Sequence, residues 1–136
     1  MGINDIATGK ETSEQVIKGL TEVTQRLKAR GIKVIGATLS PTAGRLNTKY
    51  DTAETYERRL AVNHFIRTSN IFDGVVDFEA AVKDPNNPSQ MLRDFIPNST
   101  YGSLDGKIGD FLHPNRAGFI KMSQAFELSL FDSKKQ

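Results

Sequence analysis

The chain contains no cysteine. That excludes disulfides, cysteine-based zinc ribbons and thiol chemistry, and it leaves the compartment open, because cysteine-free chains suit the cytosol and secretion equally. No apolar run approaches the roughly 20 residues that a membrane-spanning helix needs. No secretory leader is visible in the opening residues. Charge of one sign is scarce as well: 18 Lys and Arg against 16 Asp and Glu leave a net charge of +2. The basic residues fall in short, scattered groups at Lys28 to Arg30, Arg58–Arg59 and Lys134–Lys135. Such groups read as solvated surface or frayed tail and not as a track for phosphates, so no nucleic-acid partner is expected. Histidine is limited to two copies, His64 and His113.

What is present fits a single soluble domain. With 136 residues the chain is long enough for one domain and too short for two. A hydrophobic share of 38% against 25% charged is a globular profile, slightly lean in core-forming residues.

Residues 1–12 are rich in Gly, Asn, Asp and Thr and are expected to be loop. A first helix is expected from Thr12, where Thr12 and Gln15 have capping-box spacing, with Val16, Ile17, Leu20, Val23 and Leu27 on its apolar stripe. Gly31 is a suitable C-terminal stop. The run Ile32 to Leu39, closed by Ser40-Pro41, is short, apolar and bounded by breakers, as expected of a buried parallel strand. Thr42 to Asp51 is a polar loop. A second helix is expected over Ala53 to Thr68; its apolar residues surround much of the axis, so it should be largely covered. Gly74 to Phe78 is a second strand, Glu79 to Lys83 a helical turn, and Asp84 to Pro88 a break. Residues 93–112 form a long, glycine-containing connection, a length usually associated with function. A last helix starts at Asn115, a good N-cap, and continues through Phe119, Ile120, Phe126 and Leu130.

Helices and strands alternate, which implies an α/β layer fold with a parallel sheet and a site at the carboxyl ends of its strands. Two strands are too few for a stable parallel sheet, and no strand precedes the first helix. The chain therefore reads as the C-terminal portion, residues 1–136, of one larger domain.

Two motifs carry chemistry. Asp110-Phe111-Leu112-His113-Pro114 sets a carboxylate three residues before an imidazole. Folded back on one ring nitrogen, the carboxylate would fix the tautomer and stabilise the protonated ring while the other nitrogen faces the substrate, which makes a general base. A turn-capping histidine is the plainer alternative, and the base reading is favoured. Gly2-Ile3-Asn4-Asp5 offers an Asn whose amide can donate to an oxyanion. The alternative is an ordinary turn residue. Asp5 is expected to tie down that loop by hydrogen bonds, and Asp77 to be structural. His64, in mid-helix, is expected to be a half-buried packing residue, and no reliable ligand set marks a metal site. Ser40 ends a strand and is the best-placed serine for a nucleophile, but it lacks a strained elbow and reads as a strand terminator. Tyr101 and Phe111 are candidates for an acyl pocket or for plain packing.

The two motifs resemble those of the SGNH (GDSL-type) hydrolases. Gly2-Ile3-Asn4-Asp5 is similar to the family's G-x-N-D block, and Asp110-x-x-His113-Pro114 to its D-x-x-H-P block; the order of helices and strands between them and the opening of the last helix at Asn115 to Phe119 match as well. The resemblance spans the whole chain and the latter part of the family's domain. It implies a flavodoxin-like three-layer fold with about five parallel strands, here lacking the first ones. It implies a serine esterase, lipase or acylhydrolase acting on small-molecule carboxyl esters, with His113 as base, Asp110 as its orienter and Asn4 as oxyanion donor. No cofactor and no metal are implied. The family's Gly-Asp-Ser block, which carries the nucleophile, is absent. The isolated chain is thus expected to be inactive alone, to pair with a segment that supplies the missing strands and serine, or to self-associate. The alternative is a catalytically silent α/β fragment acting as a binding or assembly module. Secretion is compatible with a longer parent protein.

Overall fold

A computed structural model describes residues 2–44, 48–97 and 111–131. Its first element departs from the sequence reading. Residues Ile3–Ala7 are not loop but a short helix, α1. The Gly2 N–H donates to the Asp5 carboxylate, and the Ile6 N–H to the Gly2 carbonyl at 2.9 Å. Ile6 and Ala7 are then buried against the core. Five residues are too few for a helical period to register, so this element has no sequence signature. Asp5 does tie down the segment, as expected, by capping the helix start.

Helix α2, Ser13–Lys28, begins where Thr12 and Gln15 predict it. Gln15 N–H donates to Thr12 Oγ1 at 3.3 Å and Thr12 N–H to Gln15 Oε1 at 2.8 Å, so two otherwise unpaired donors are satisfied. The chain leaves the helix through Gly31, whose φ of +74° suits glycine. The apolar stripe shifts along the axis: Val23 is exposed and Thr24 takes the buried place.

The expected strand Ile32–Leu39 shortens to β1, Ile35–Ala37. Ile32 is exposed and closes the α2 terminus, its N–H donating to the Leu27 carbonyl at 3.1 Å. Beyond Ala37, the Thr38 N–H still donates to the Val76 carbonyl at 3.1 Å, and the Leu39 backbone turns to the Asn63 side chain. Strand β2 is Gly74–Val76, parallel to β1, with Gly36 opposite Val75. The expected last strand residues, Asp77 and Phe78, belong to helix α4, Phe78–Val82, instead: Asp77 Oδ1 accepts from Ala80 N–H at 3.0 Å and caps it. The fold is α/β with a small parallel sheet that lacks some strands of the full architecture. The β1 residues are only half covered apart from Gly36, so the expected full burial is not reached among the described residues.

Helix α3, Ala53–Thr68, has the expected bounds, set by Thr52, which accepts from Thr55 N–H. Its buried face is Thr55, Arg59, Val62, Asn63 and Ile66, while Leu60 is exposed. Three of these five buried side chains are polar, an arrangement that counting apolar residues did not find. His64 is exposed, not half-buried as the sequence suggested. It lies on the side of α3 away from this face, so no packing role falls to it.

Two apolar clusters result. Ile6, Val16, Val62 and Ile66 join α1, α2 and α3. Val82, Met91 and Ile96, with Phe95, Phe111 and Met122 against them, hold α4 to helix α5, Arg116–Ser123. Asn115 caps α5 as predicted: its Oδ1 accepts from Gly118 N–H at 3.0 Å, while its Nδ2 donates to the Asp94 carbonyl at 2.8 Å. The helix ends at Ser123, earlier than expected. Phe126 leaves it to pack between Phe78 and Phe131, and Leu128–Phe131 forms a separate 3-10 turn.

Candidate active site

The carboxyl end of β1 opens into a cleft of about 390 Å³. Three segments build it: Gly2 to Asp5 at the start of α1, Thr38 to Thr42 beyond β1, and Leu112–His113 ahead of α5. This is where the fold class puts its sites. The structure thus brings Asn4, Ser40 and His113 to one cleft from distant parts of the sequence. Asp110 and Tyr101 lie outside the described residues. Phe111 is not part of the cleft lining; it packs against the second apolar cluster and beside Gly44.

Phe111 has a further property that the motif did not reveal. Its φ is +54°. A left-handed backbone at an aromatic residue costs about 1–2 kcal/mol and persists only where the surroundings hold it. Packing of the ring supplies that hold, and it fixes the direction in which the chain enters Leu112 and His113. A Cβ at Gly44 would stand 2.6 Å from this ring, so the close approach needs a glycine there.

The floor of the cleft is secured by α3. The Leu39 N–H donates to Asn63 Oδ1 at 2.7 Å, and Asn63 Nδ2 donates to the Leu39 carbonyl at 2.9 Å. One buried amide therefore replaces the strand partner that Leu39 lacks at this point. Arg59 Nη1 also donates to the Leu39 carbonyl, at 3.2 Å. Thr38, one residue earlier, donates its hydroxyl to Asp77 Oδ1 and accepts from the Glu79 N–H, both at 2.9 Å. Thr42, on the far side of Ser40, donates to the Tyr50 carbonyl at 2.8 Å. Ser40 is thus flanked by residues that are individually tethered.

The tethers converge on a charged cluster. Buried Arg59 pairs with Glu79, and Arg67 pairs with Glu79 at 2.6 Å and with Asp77 at 2.8 Å. Partial burial raises the Asp77 pKa, but the hydrogen bonds from Arg67, the Ala80 N–H and the Thr38 hydroxyl outweigh it and bring the group down to about 2. Glu79 is likewise pulled up by burial and held below the usual carboxylate range by Arg67 and Arg59. Arg67 is raised, first by its bond to Asp77. Asp77, Glu79 and Arg67 are therefore charged at neutral pH. They are structural, as expected for Asp77.

Asn4 is held from the opposite wall. Its Oδ1 accepts from the Tyr50 hydroxyl at 2.9 Å. Neither Tyr50 nor Asn63 nor Arg59 stood out in the sequence, because each acts on a backbone or side chain far along the chain. Among the described residues no three His, Cys, Asp or Glu side chains group as a metal site, and no helix is long and apolar enough to cross a membrane.

Parallel strands flanked by helices, with a polar cleft where a strand ends, define an α/β protein with a cleft in the place where that class usually carries its sites. Comparison supplies the family. Over residues 1–119 the chain matches the model of the GDSL-like lipase/acylhydrolase family, and it belongs to that family. That membership places it among hydrolases. No curated protein matches the chain.

Proposed function

We propose that this chain is the C-terminal portion of a single carboxyl-ester hydrolase domain of the serine acyl-enzyme type. His113 is the base, Asp110 its orienter and Asn4 an oxyanion donor, and the nucleophilic serine comes from a segment outside the chain. In the first half-reaction the serine hydroxyl adds to the ester carbonyl as His113 takes its proton. The negative charge that develops on the carbonyl oxygen is met by the Asn4 amide. The intermediate collapses, and the alcohol leaves with the proton from the imidazolium. Water then adds to the acyl-enzyme, again giving its proton to His113, and the acid is released as the serine recovers the proton.

The observation that carries this reading is that Asn4 and His113, from opposite ends of the chain, line one cleft at the carboxyl end of β1. Family membership supports the reaction class. The test is hydrolysis of p-nitrophenyl acetate by two proteins, each beside its His113→Ala variant. In a longer chain that includes the upstream Gly-Asp-Ser segment, we expect His113→Ala to lower turnover by about 10³-fold or more. In the chain of 136 residues we expect the same background rate with and without His113. Turnover that depends on His113 in the short chain would instead place the nucleophile within it, and Ser40→Ala would be the next variant. Turnover in the long chain that ignores His113 would overturn the assignment.

A further inference from the structure

A side-chain amide is a donor at one end and an acceptor at the other. In an oxyanion site only one orientation works, because the reversed amide would aim its own oxygen at the developing negative charge. An exposed asparagine such as Asn4 has little packing to choose between the two. Its backbone does not help either, since the Asn4 carbonyl is occupied by the Thr8 hydroxyl at 2.7 Å and the Thr8 and Gly9 N–H groups at 2.9 Å. Tyr50 removes the ambiguity. We propose that Tyr50 is a positioning residue for the Asn4 amide, its hydroxyl holding Oδ1 so that Nδ2 is presented to the cleft as a donor. This deepens the functional reading above and rests on it.

The Tyr50 hydroxyl donates to Asn4 Oδ1 at 2.9 Å. Among the described residues Asn4 Nδ2 makes no hydrogen bond, so its two donors remain for a ligand in the cleft that Asn4 lines. The tyrosine is itself well fixed, by its main chain. The carbonyl of Tyr50 accepts from Thr42 Oγ1 at 2.8 Å and that of Lys49 from Thr55 Oγ1 at 2.7 Å, while Asp51 Oδ2 accepts from the Gly44 N–H at 3.0 Å. Three consecutive residues are thereby pinned, to the segment beyond β1 and to the first turn of α3. A hydroxyl delivered by so constrained a segment selects one orientation of the amide. It also strengthens the donor, because a proton given to Oδ1 withdraws electron density from Nδ2 and makes its N–H groups more positive. Tyr50 touches no reacting atom, and its effect passes through Asn4.

The test uses the 136-residue chain labelled with ¹⁵N and ¹³C. The Asn4 side-chain NH₂ pair is assigned by its loss in Asn4→Ala, and acetate serves as the probe, a carboxylate standing in for the oxyanion. We expect acetate to shift the Asn4 pair in the wild-type chain. In Tyr50→Phe we expect that pair to move and acetate to bind about 2- to 10-fold more weakly, the value of one neutral hydrogen bond. Tyr56→Phe, on the neighbouring turn of α3, should change neither. The reciprocal measurement covers a Tyr50→Phe chain that folds poorly: the Tyr50 ¹³Cζ resonance should move in Asn4→Ala. An Asn4 pair indifferent to Tyr50→Phe, or a Tyr50 resonance indifferent to Asn4→Ala, overturns the proposal. Wild-type acetate binding that leaves the Asn4 pair unmoved overturns it too. None of these readouts needs a nucleophile, so a failure of ester turnover is recorded separately.

Discussion

Asn63 shows how a single side chain can do the work of a strand. It is fully buried and satisfies both the N–H and the carbonyl of Leu39 at the edge of the cleft. Removing the amide leaves the Leu39 N–H without its partner and the Leu39 carbonyl with Arg59 alone; an unpaired buried donor costs about 1–3 kcal/mol. We therefore expect Asn63→Ala to lower the unfolding free energy by about 1–3 kcal/mol, read as a fall in the urea midpoint at constant slope. Asn63→Asp keeps one acceptor and should fall between. This residue was not legible beforehand, since an Asn in mid-helix carries no motif and its partner lies on another element. Asn4 and His113 were legible for the opposite reason. Each belongs to a short string of residues whose chemistry is local, and the structure places both on one cleft. Tyr50 and Arg59, like Asn63, became visible through contacts that cross the fold.

Among the elements, the starts of α2, α3 and α5 were legible, whereas the starts of α1 and α4 and the strand ends were not. Thr12, Thr52 and Asn115 each cap a helix by bonding a backbone N–H three residues on, so the signal is contained in four residues. The extents of β1 and β2 depend instead on where neighbouring elements take over the backbone, as Asp77 does by capping α4. Gly118 gives an element-scale prediction. In an exposed helix, Gly→Ala gains about 1 kcal/mol. Here a Cβ at Gly118 would stand 2.6 Å from Pro114 Cβ and 3.0 Å from Phe95 Cβ, both close to rigid backbone. Overpacking of this kind costs about 1–3 kcal/mol, so Gly118→Ala should lower the melting temperature despite its better helix propensity. A melting temperature raised by the substitution would show that α5 does not sit this close to Phe95.

Helices α3 and α4 are joined mainly by charge, which makes their union sensitive to acid. Asp77 has its pKa brought down from 3.8 to about 2 in the folded chain, and Glu79 is lowered as well. A depressed carboxylate contributes stability above its unfolded pKa and loses that contribution as pH falls through the folded value. Stability should therefore hold near neutral pH and decline between about pH 4 and pH 2. Asp77→Asn has no charge to lose there, so its decline over the same interval should be shallower, measured by urea unfolding at each pH. Equal slopes for the two proteins would mean that other carboxylates set the acid limit. Glu79 offers a sharper loss at neutral pH. Glu79→Gln leaves buried Arg59 without its counter-charge, a change that costs about 3–5 kcal/mol where a buried pair is broken.

At the scale of the whole molecule, the short sheet decides how the chain behaves in solution. Two paired strands of three residues leave each strand, among the described residues, with an outer edge that no other strand covers. A sheet this small is marginal, and open edges are templates for pairing with another chain. Apolar side chains accompany the open sheet, with Val75 at 37% exposure and Ile32 at 48%. The net charge of +2 offers little repulsion between copies. We expect the 136-residue chain to self-associate, its weight-average mass in sedimentation rising with concentration through the micromolar range. Val75→Lys should reduce that rise, because a charge on the exposed side of β2 opposes strand addition. A mass fixed at the monomer value, together with a sharp cooperative melt, would mean that the described helices complete the core without further strands. A segment supplying further strands, as proposed above, would then have to bind an already finished surface. With association confirmed, a peptide carrying such strands should compete with self-pairing, and we expect its addition to return the chain to a single defined species.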